Sequence, residues 1–280
     1  MARVAEEAGF DSLWGGDHLL FRNPGLAPRG PWEAWSVLAA LAAVTERVSI
    51  GPLVSSASFH NPALLAKKAA TVDEISGGRL ILGLGAGWNE AEYAAFGFPF
   101  DHRMARFEEA LAIITGLLRG GEVDFVGRYH QARGCVLVPK PARPGGPPIM
   151  IGTTGPRMLR LAARHADAWN SWFTWFGNRP EGLRELNGRV DEACRTEGRD
   201  PLSLERTVAV LVQFGEGPVA LRGGPQETAP PLRGSSEELA RALLAFRAEG
   251  ITHIQLVVHP ITVESIERLE PVVGLVHAGA

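Results

Sequence analysis

Short apolar runs alternate with longer segments of helical composition along most of the chain. We identify seven of these runs as strands, centred near residues 12, 51, 81, 150, 169, 210 and 255. Strands of this kind are bounded by turn residues, and the segments between them have the composition of helices. The alternation predicts a parallel sheet with right-handed crossovers, and therefore an α/β protein.

Capping residues mark where several of the predicted helices begin and end. Asn61 followed by Pro62 predicts a helix start, because asparagine caps a helix and proline suits its first position. Ser235 with Glu238 has the spacing of a capping box. Gly9 stands where the first helix would end. These local signals support the alternation of strands and helices.

Polar or glycine-rich residues follow almost every predicted strand. This favours a closed TIM (β/α)8 barrel over a doubly wound open sheet, which would place its ligands at one switch point. Since a closed barrel needs eight strands and we count seven, we expect that the N-terminal first strand is lacking. We predict a single barrel domain over residues 1–280, with a hairpin insertion and linker at 122–147 and a variable loop at 215–234.

Charge and cysteine content restrict the expected partners. The 28 basic and 31 acidic residues give a net charge of −3, without a long run of either sign. Nothing in that balance favours nucleic acid or an anionic membrane as a partner. Cys135 and Cys194 are isolated, so they form neither a disulfide framework nor a zinc motif. We expect a cytoplasmic protein that binds a small molecule, with no metal and no membrane span.

The stretch 79–88 is the most informative in the chain. A short apolar run leads into Gly83, Gly85 and Gly87, and Trp88 follows directly. Alternate glycines at the end of a strand leave room for a flat ligand to approach the backbone. The alternative is that small residues merely fit the tapering interior of a barrel.

Asp17 and His18 follow the end of the first predicted strand. Histidine donates or accepts a proton near neutral pH, and catalytic residues collect at this end of a barrel. Alternatively, Asp17 caps the loop and His18 is a partly buried polar group. The other histidines, among them His60, are scattered and show no spacing typical of metal ligands.

Two further segments are candidates for ligand binding. Gly152, Thr153, Thr154 and Gly155 join a strand to a helix, where free N–H groups and hydroxyls suit a phosphate. The alternative is an ordinary turn with threonine caps. Aromatic residues crowd the end of the next strand, where they could wall a pocket for a planar ligand. These residues are Trp169, Trp172, Phe173, Trp175 and Phe176, of which we assign the two phenylalanines to the core.

Taken together and in order, the motifs resemble the luciferase-like flavin and deazaflavin oxidoreductases. The strongest segments are 51–56, 60–67, 70–73, 76–79 and 83–88, supported by 10–18, 127–129 and 166–170. The resemblance covers nearly the whole chain, and within the family it is greatest to the branch that uses coenzyme F420. The flavin mononucleotide (FMN) branch shares most of these motifs.

The resemblance implies a luciferase-like TIM barrel with a cofactor ring over the strand ends and a non-proline cis peptide around residues 54–57. It places Asp17 and His18, as catalytic residues, near the reactive edge of the cofactor. It assigns the phosphate of the cofactor to the turn at 152–155. The cofactor-binding residues that it implies are Val54, Ser55, Ser56, Ala57, Gly85, Ala86, Gly87, Trp88, Asn89, Gly152, Thr153, Thr154, Gly155, Trp169 and Asn170.

The activity that the resemblance implies is hydride transfer between reduced F420 and a small organic substrate, with His18 handling the accompanying proton. One alternative is an FMN-dependent monooxygenase of the same fold, and another is a non-catalytic flavin-binding relative. Some relatives have an acidic residue for sugar phosphate chemistry at the place of Trp88, so Trp88 argues against that activity here. We also expect a homodimer.

Overall fold

The computed structural model describes residues 1–23, 25–216 and 229–279. Most of the loop predicted at 215–234 therefore lies outside the described residues. The first half of the chain contains α1 Ala2–Glu7, β1 Ser12–Gly15, α2 Ala34–Val44, β2 Ser49–Pro52, β3 Ser55–Ser56, α3 Pro62–Ile75, β4 Leu82–Gly85, α4 Glu90–Phe96, α5 Arg103–Thr115, β5 Glu122–Val126 and β6 Gln131–Val136. The second half contains β7 Ile149–Gly152, α6 Pro156–His165, β8 Ala168–Trp172, α7 Leu183–Thr196, β9 Glu205–Gln213, α8 Ser236–Leu244, β10 His253–His259 and α9 Val263–Ala278.

The described residues fall into two compact units. One comprises residues 14–151, and the other comprises residues 1–13 together with 152–280. We call them the 14–151 unit and the 152–280 unit. The single domain that we predicted from the sequence stays a prediction. All seven predicted strands are present, as β1, β2, β4, β7, β8, β9 and β10.

The 14–151 unit is built on short parallel strands with a buried apolar face. Residues of β4 pair in parallel register with β7 on one side and with β3 on the other. Ile50 of β2 forms a parallel bridge to Leu80, just before β4. Leu80, Leu82 and Leu84 are fully buried. Strands that are apolar along their length belong to a sheet covered on both faces, which explains the apolar run at 80–84.

We predicted the second strand, centred near residue 51, as one continuous strand from 48 to 55, and this is wrong because the strand is interrupted. β2 ends at Pro52, and β3 begins only at Ser55. Proline has no N–H group to donate to a neighbouring strand, so the ladder cannot continue regularly through it. The peptide bond between Leu53 and Val54 is cis, at the edge of the segment where the family resemblance implied such a bond.

The hairpin predicted within 122–147 is confirmed by the antiparallel pairing of β5 with β6. Its turn is held by Glu109 of α5, whose carboxylate accepts hydrogen bonds of 2.8, 2.8 and 2.9 Å from the N–H groups of Arg128, Tyr129 and His130. A single carboxylate thus satisfies three donors of a tight turn, which fixes the hairpin on the helix.

The 152–280 unit contains three parallel strands in the order β8, β9, β10. Their register aligns Asn170 with Thr207 and Ala209 with Gln255. Since side chains alternate along a strand, one face of β9 carries the buried valines Val208, Val210 and Val212. The other face is mixed and carries Thr207, Ala209, Leu211 and Gln213.

The predicted helix caps are present. Asn61 accepts a hydrogen bond of 3.1 Å from the N–H of Leu64, directly before Pro62. Ser235 and Glu238 form both bonds of a capping box at the start of α8. These caps explain why the local sequence predicted those helix starts so closely. No described helix combines the length and the low polarity that crossing a membrane would require.

Candidate functional site

Asp17 lies at the end of β1 and is a buried anchor of the 14–151 unit. Its Oδ2 atom accepts hydrogen bonds from the Ser55 hydroxyl at 2.7 Å and from the Ser56 N–H at 3.0 Å. The same oxygen lies 2.9 Å from Nε2 of His60. The Asp17 side chain is only 2% exposed, so it holds the segment after β2 in place. A carboxylate that is buried this deeply needs such partners.

His18 points to a different carboxylate, that of Glu92 in α4. The His18 Nδ1 atom lies 3.1 Å from Oε1 and 3.0 Å from Oε2 of Glu92. The Glu92 side chain is 1% exposed, whereas that of His18 is 16% exposed. Oε1 of Glu92 also accepts hydrogen bonds from the N–H groups of Leu19 and Leu20, at 2.7 and 2.9 Å. Glu92 therefore fixes both the imidazole and the backbone that follows it.

The electrostatics of Glu92 favour its charged form. Burial alone would raise the pKa of this carboxyl, but the hydrogen bonds from His18 and Leu20, the charge of His18 and the hydrogen bond from Leu19 outweigh burial and lower the pKa below its ordinary value. Glu92 is therefore a carboxylate, an acceptor of protons and hydrogen bonds, at neutral pH.

Aromatic rings surround the imidazole of His18 on two sides. The ring of Phe21 lies 4.7 Å from it, and the indole of Trp88 lies 5.6 Å away in an edge-on arrangement. Trp88 is 53% exposed, so a broad apolar surface adjoins a proton-exchanging group. Such a pairing of an aromatic wall with one polar group is typical of a small-molecule site.

The glycine pattern before Trp88 has a packing cause at two positions. A Cβ atom on Gly83 would lie 2.1 Å from the carbonyl oxygen of Pro52. On Gly87, which has a φ of +74°, it would lie 2.0 Å from the Tyr93 hydroxyl and 2.6 Å from the Ser56 hydroxyl. Both positions therefore require glycine without a ligand, as our alternative interpretation held. That residues 85–89 also bind a ligand stays a prediction.

The hydroxyl groups of the 54–57 segment are engaged within the protein. Ser55 accepts a hydrogen bond of 3.2 Å from the Trp35 indole while it donates to Asp17. The Ser56 hydroxyl lies 3.2 Å from that of Tyr93, which donates to the carbonyl of Ala86. The Tyr93 hydroxyl therefore links the 54–57 segment to the start of the 85–89 segment. The structure thus brings together three of the predicted site segments, 17–18, 54–57 and 85–89.

We call Asp17, His18, His60 and Glu92 the charged cluster. His60 and Glu92 were not predicted as site residues. His60 was set aside as one of several scattered histidines, and Glu92 stood unnoticed in the first turn of a helix. Glu92 lies 74 residues from His18, and His60 lies 43 residues from Asp17. Each histidine near a strand end needs a carboxylate partner, and that requirement is the signal by which a sequence analysis could have found the two pairs.

The predicted phosphate turn lies in the 152–280 unit. It follows β7, and Gly155 caps α6, whose first residue is Pro156. The Thr153 hydroxyl accepts a hydrogen bond of 3.2 Å from the Gly155 N–H, and Arg189 donates to the carbonyl of Thr154. A Cβ atom on Gly155 would meet nothing within 4 Å, so open space adjoins the start of this helix. Such a helix start attracts an anion.

Trp169 and Asn170 of β8 stand beside this turn as fully buried residues. The Trp169 indole donates a hydrogen bond of 2.7 Å to the Thr153 carbonyl. Asn170 donates to the Thr207 hydroxyl at 2.9 Å and to the Gln255 carbonyl oxygen at 2.8 Å. Trp169 therefore supports the turn from behind. We call residues 152–155 with Trp169 and Asn170 the neutral cluster, since they carry no charge.

Of the remaining aromatic residues, the two phenylalanines are placed as predicted, and the wall formed by the tryptophans stays a prediction. Phe173 and Phe176 are buried, which confirms their assignment to the core. Trp175 is 44% exposed, and Trp172 packs against Phe173 at 4.7 Å between ring centroids. Across the described residues, no group of three or more potential metal ligands converges.

Similarity to known proteins identifies the family. A model of the luciferase-like monooxygenase family matches residues 1–223. A 5,10-methylenetetrahydromethanopterin reductase of Archaeoglobus fulgidus is 37% identical over 165 residues, which are 59% of this chain and 46% of the relative. An F420-dependent glucose-6-phosphate dehydrogenase of Microbacterium testaceum is 34% identical over 218 residues, 75% of this chain and 62% of the relative. The chain thus spans about half to three fifths of the length of these relatives.

Among solved structures, a coenzyme F420-dependent tetrahydromethanopterin reductase from Methanopyrus kandleri has a TM-score of 0.79 to this chain. The two are 19% identical, and the similarity covers 99% of this chain and 93% of the other. These findings confirm the luciferase-like TIM-barrel fold expected from the sequence. The chain belongs to the luciferase-like monooxygenase family.

Proposed function

We propose that this protein is an oxidoreductase that transfers a hydride between coenzyme F420 and a small organic substrate. The observation that carries the proposal is the His18–Glu92 pair, in which a buried carboxylate orients a partly exposed imidazole beside the exposed Trp88 indole. A hydride transfer to or from a carbonyl group needs a proton at the oxygen, and this pair supplies a group that exchanges one.

The residues present fit a planar cofactor with a phosphate. Trp88 offers an exposed aromatic surface, and open space lies in front of Gly155 at the start of α6. We propose that Val54–Ala57 and Gly85–Asn89 hold the ring, that Gly152–Gly155 bind the phosphate, and that Trp169 and Asn170 support that turn. The cofactor supplies the hydride when it is bound.

The protein's own residues then perform three tasks in this proposal. Trp88 and Phe21 exclude water from the side of the imidazole that they cover. Asp17 holds the end of β1 against Ser55 and Ser56, so that the backbone carrying His18 keeps its position. His18 gives a proton to the carbonyl oxygen of the substrate during reduction, or takes one from a hydroxyl during oxidation. Because Oδ2 of Asp17 is engaged by Ser55, Ser56 and His60 inside the protein, we propose that Asp17 positions His18 and does not exchange protons itself.

Two known relatives support F420 as the cofactor, since the names of the Microbacterium testaceum and Methanopyrus kandleri enzymes state that they depend on it. Trp88 stands where some relatives have an acidic residue for sugar phosphate chemistry. We therefore propose a substrate other than glucose 6-phosphate. The name of the matching family favours a second candidate, an FMN-dependent monooxygenase. The cytoplasmic location and the homodimer expected from the sequence stay predictions.

Titration of the purified protein with F420 and, separately, with FMN tests the proposal. We expect saturable quenching of F420 fluorescence and much weaker binding of FMN. Tight FMN binding with oxygen-dependent product formation would support the monooxygenase instead. Failure to bind either cofactor, in a protein with a cooperative unfolding transition, would leave the non-catalytic relative as the remaining candidate.

A further inference from the structure

We infer that Glu92 is a positioning residue, whose carboxylate holds His18 in the tautomer with a proton on Nδ1 and leaves Nε2 to exchange protons with the substrate. The inference deepens the proposed function, because it names the atom of His18 that acts and the residue that selects it. Glu92 itself does not touch the reacting atoms in this scheme.

Both oxygens of Glu92 lie within hydrogen-bond distance of Nδ1 of His18, Oε1 at 3.1 Å and Oε2 at 3.0 Å. Oε1 also accepts hydrogen bonds from the N–H groups of Leu19 and Leu20, at 2.7 and 2.9 Å. An ionised carboxylate can only accept hydrogen bonds, so a neutral imidazole must present a protonated Nδ1 to it. The proton of a neutral imidazole sits on one nitrogen only, and Nε2 is then the acceptor.

The same contacts keep Glu92 ionised. Hydrogen bonds from His18 and from the N–H groups of Leu20 and Leu19 outweigh the effect of burial and lower the pKa of this carboxyl. The opposite tautomer would place two acceptors against each other at 3.0 Å, with no donor between them. The buried position of Glu92, at 1% exposure, removes the solvent that could otherwise relieve this conflict.

The other charged groups near this part of the chain are directed elsewhere. The Asp17 carboxylate is turned towards Ser55, Ser56 and His60. Arg103 donates to the Gly87 carbonyl, and Arg29 lies over the Phe21 ring at 5.8 Å. Glu92 is thus the carboxylate in direct contact with His18 in the structure as described.

The different roles of the two oxygens predict the effect of Glu92→Gln. The glutamine oxygen is needed at the Oε1 position, because two backbone N–H groups point there. The amide nitrogen then occupies the Oε2 position and donates towards Nδ1 of His18. The substitution keeps the size and the backbone contacts of the side chain, but it places a donor 3.0 Å from Nδ1. The remaining oxygen, 3.1 Å from Nδ1, already accepts two backbone N–H groups, so the substitution favours a proton on Nε2 with Nδ1 as the acceptor.

Nitrogen-15 NMR of the full chain at a pH where His18 is neutral tests this directly, with His18→Gln used to assign the ring resonances. We expect the wild-type protein to show a protonated Nδ1 and an unprotonated Nε2, and Glu92→Gln to show the reverse. Glu90→Gln removes an exposed carboxylate from the same first turn of α4, so it serves as the matched control and keeps the wild-type tautomer.

A wild-type His18 with its proton on Nε2 would overturn the inference, and that measurement needs no variant to fold. An unchanged tautomer in a folded Glu92→Gln protein would overturn it equally. In turnover assays we expect Glu92→Gln to lower kcat by about 10²–10⁴-fold with little change in KM, approaching the loss of the general base itself. If the tautomer inverts but F420 fails to bind, the proposed cofactor is wrong while the positioning role of Glu92 stands.

Discussion

The charged cluster and the neutral cluster hold their polar groups by opposite means. In the charged cluster, two buried carboxylates each face an imidazole, at 2.9 Å for Asp17 with His60 and 3.0 Å for Glu92 with His18. In the neutral cluster, an indole and an amide donate to a backbone and a side-chain oxygen, and a hydroxyl accepts from a backbone N–H. The first arrangement depends on protonation, whereas the second consists of uncharged hydrogen bonds.

This difference indicates a division of labour. Carboxylate–imidazole pairs can move and store protons, but each leaves a costly buried charge if its partner is removed. Neutral donors and acceptors cost less to bury and keep the same pattern at every pH at which the protein is folded. Substitutions in the charged cluster should therefore affect turnover and acid stability, whereas those in the neutral cluster should affect ligand affinity.

The largest effect is expected at His18. His18→Ala removes the group that exchanges the proton, so we expect kcat to fall by about 10²–10⁴-fold, with a smaller change in F420 affinity. Stopped-flow measurement of the oxidation of reduced F420 by a ketone substrate gives the rate. Fluorescence titration with F420 gives the affinity. His165→Ala, at the end of α6, is the control and should leave kcat nearly unchanged. Normal turnover in a folded His18→Ala protein would exclude a role in proton exchange.

A loss of stability is expected at Asp17. Asp17→Ala removes the oxygen on which the Ser55 hydroxyl, the Ser56 N–H and His60 converge. Leaving such buried donors without an acceptor costs about 1–3 kcal/mol of unfolding free energy. Urea unfolding measures this cost, and Asp101→Ala is the control, because the Asp101 side chain is 59% exposed in its pair with Arg106. Equal stability of the two variants would show that Asp17 is not an anchor.

In the neutral cluster the expected effect is smaller and of another kind. Trp169→Phe removes the hydrogen bond to the Thr153 carbonyl, which is worth about 0.5–1.5 kcal/mol. We expect F420 affinity to fall several-fold while kcat at saturating cofactor stays close to wild type. Trp32→Phe, at a side chain that is 86% exposed and belongs to neither cluster, is the control and should bind F420 normally. A fall in kcat alone would contradict the division between the two clusters.

The sequence predicted the strands, the caps of α3 and α8 and the hairpin well, because each depends on residues that are close together along the chain. The interruption of the second strand was not predicted, because the residues up to Ser55 are apolar enough to be interpreted as one continuous strand. The sequence indicated both Asp17 and His18 as catalytic residues, but it could not distinguish the positioning role of Asp17 from the proton exchange of His18. Their partners lie 43 and 74 residues away, and only folding shows which carboxylate meets which imidazole.

The smallest expected effect concerns acid stability, and it separates the two clusters most directly. Donors from His18, Leu19 and Leu20 hold the pKa of Glu92 below its ordinary value in spite of burial. As the pH falls, the unfolded chain therefore binds a proton at this residue before the folded protein does. The stability that Glu92 contributes is present above the ordinary carboxyl pKa, about 4.3, and is lost as the pH falls through the lower folded value.

Glu92→Gln removes this titrating group, so its unfolding free energy should decline less than that of the wild-type protein as the pH falls from about 5 to about 2. Trp169→Phe lowers stability through a neutral hydrogen bond, and its decline over the same range should parallel the wild type. Other carboxyls with lowered pKa values, such as Glu33 and Glu109, contribute equally to all three proteins and cancel in the comparison.

Urea unfolding at a series of pH values gives the three curves of unfolding free energy against pH. Parallel curves for wild type and Glu92→Gln would show that the Glu92–His18 contact carries no acid-sensitive stability, and the contrast between the two clusters would then be one of geometry only.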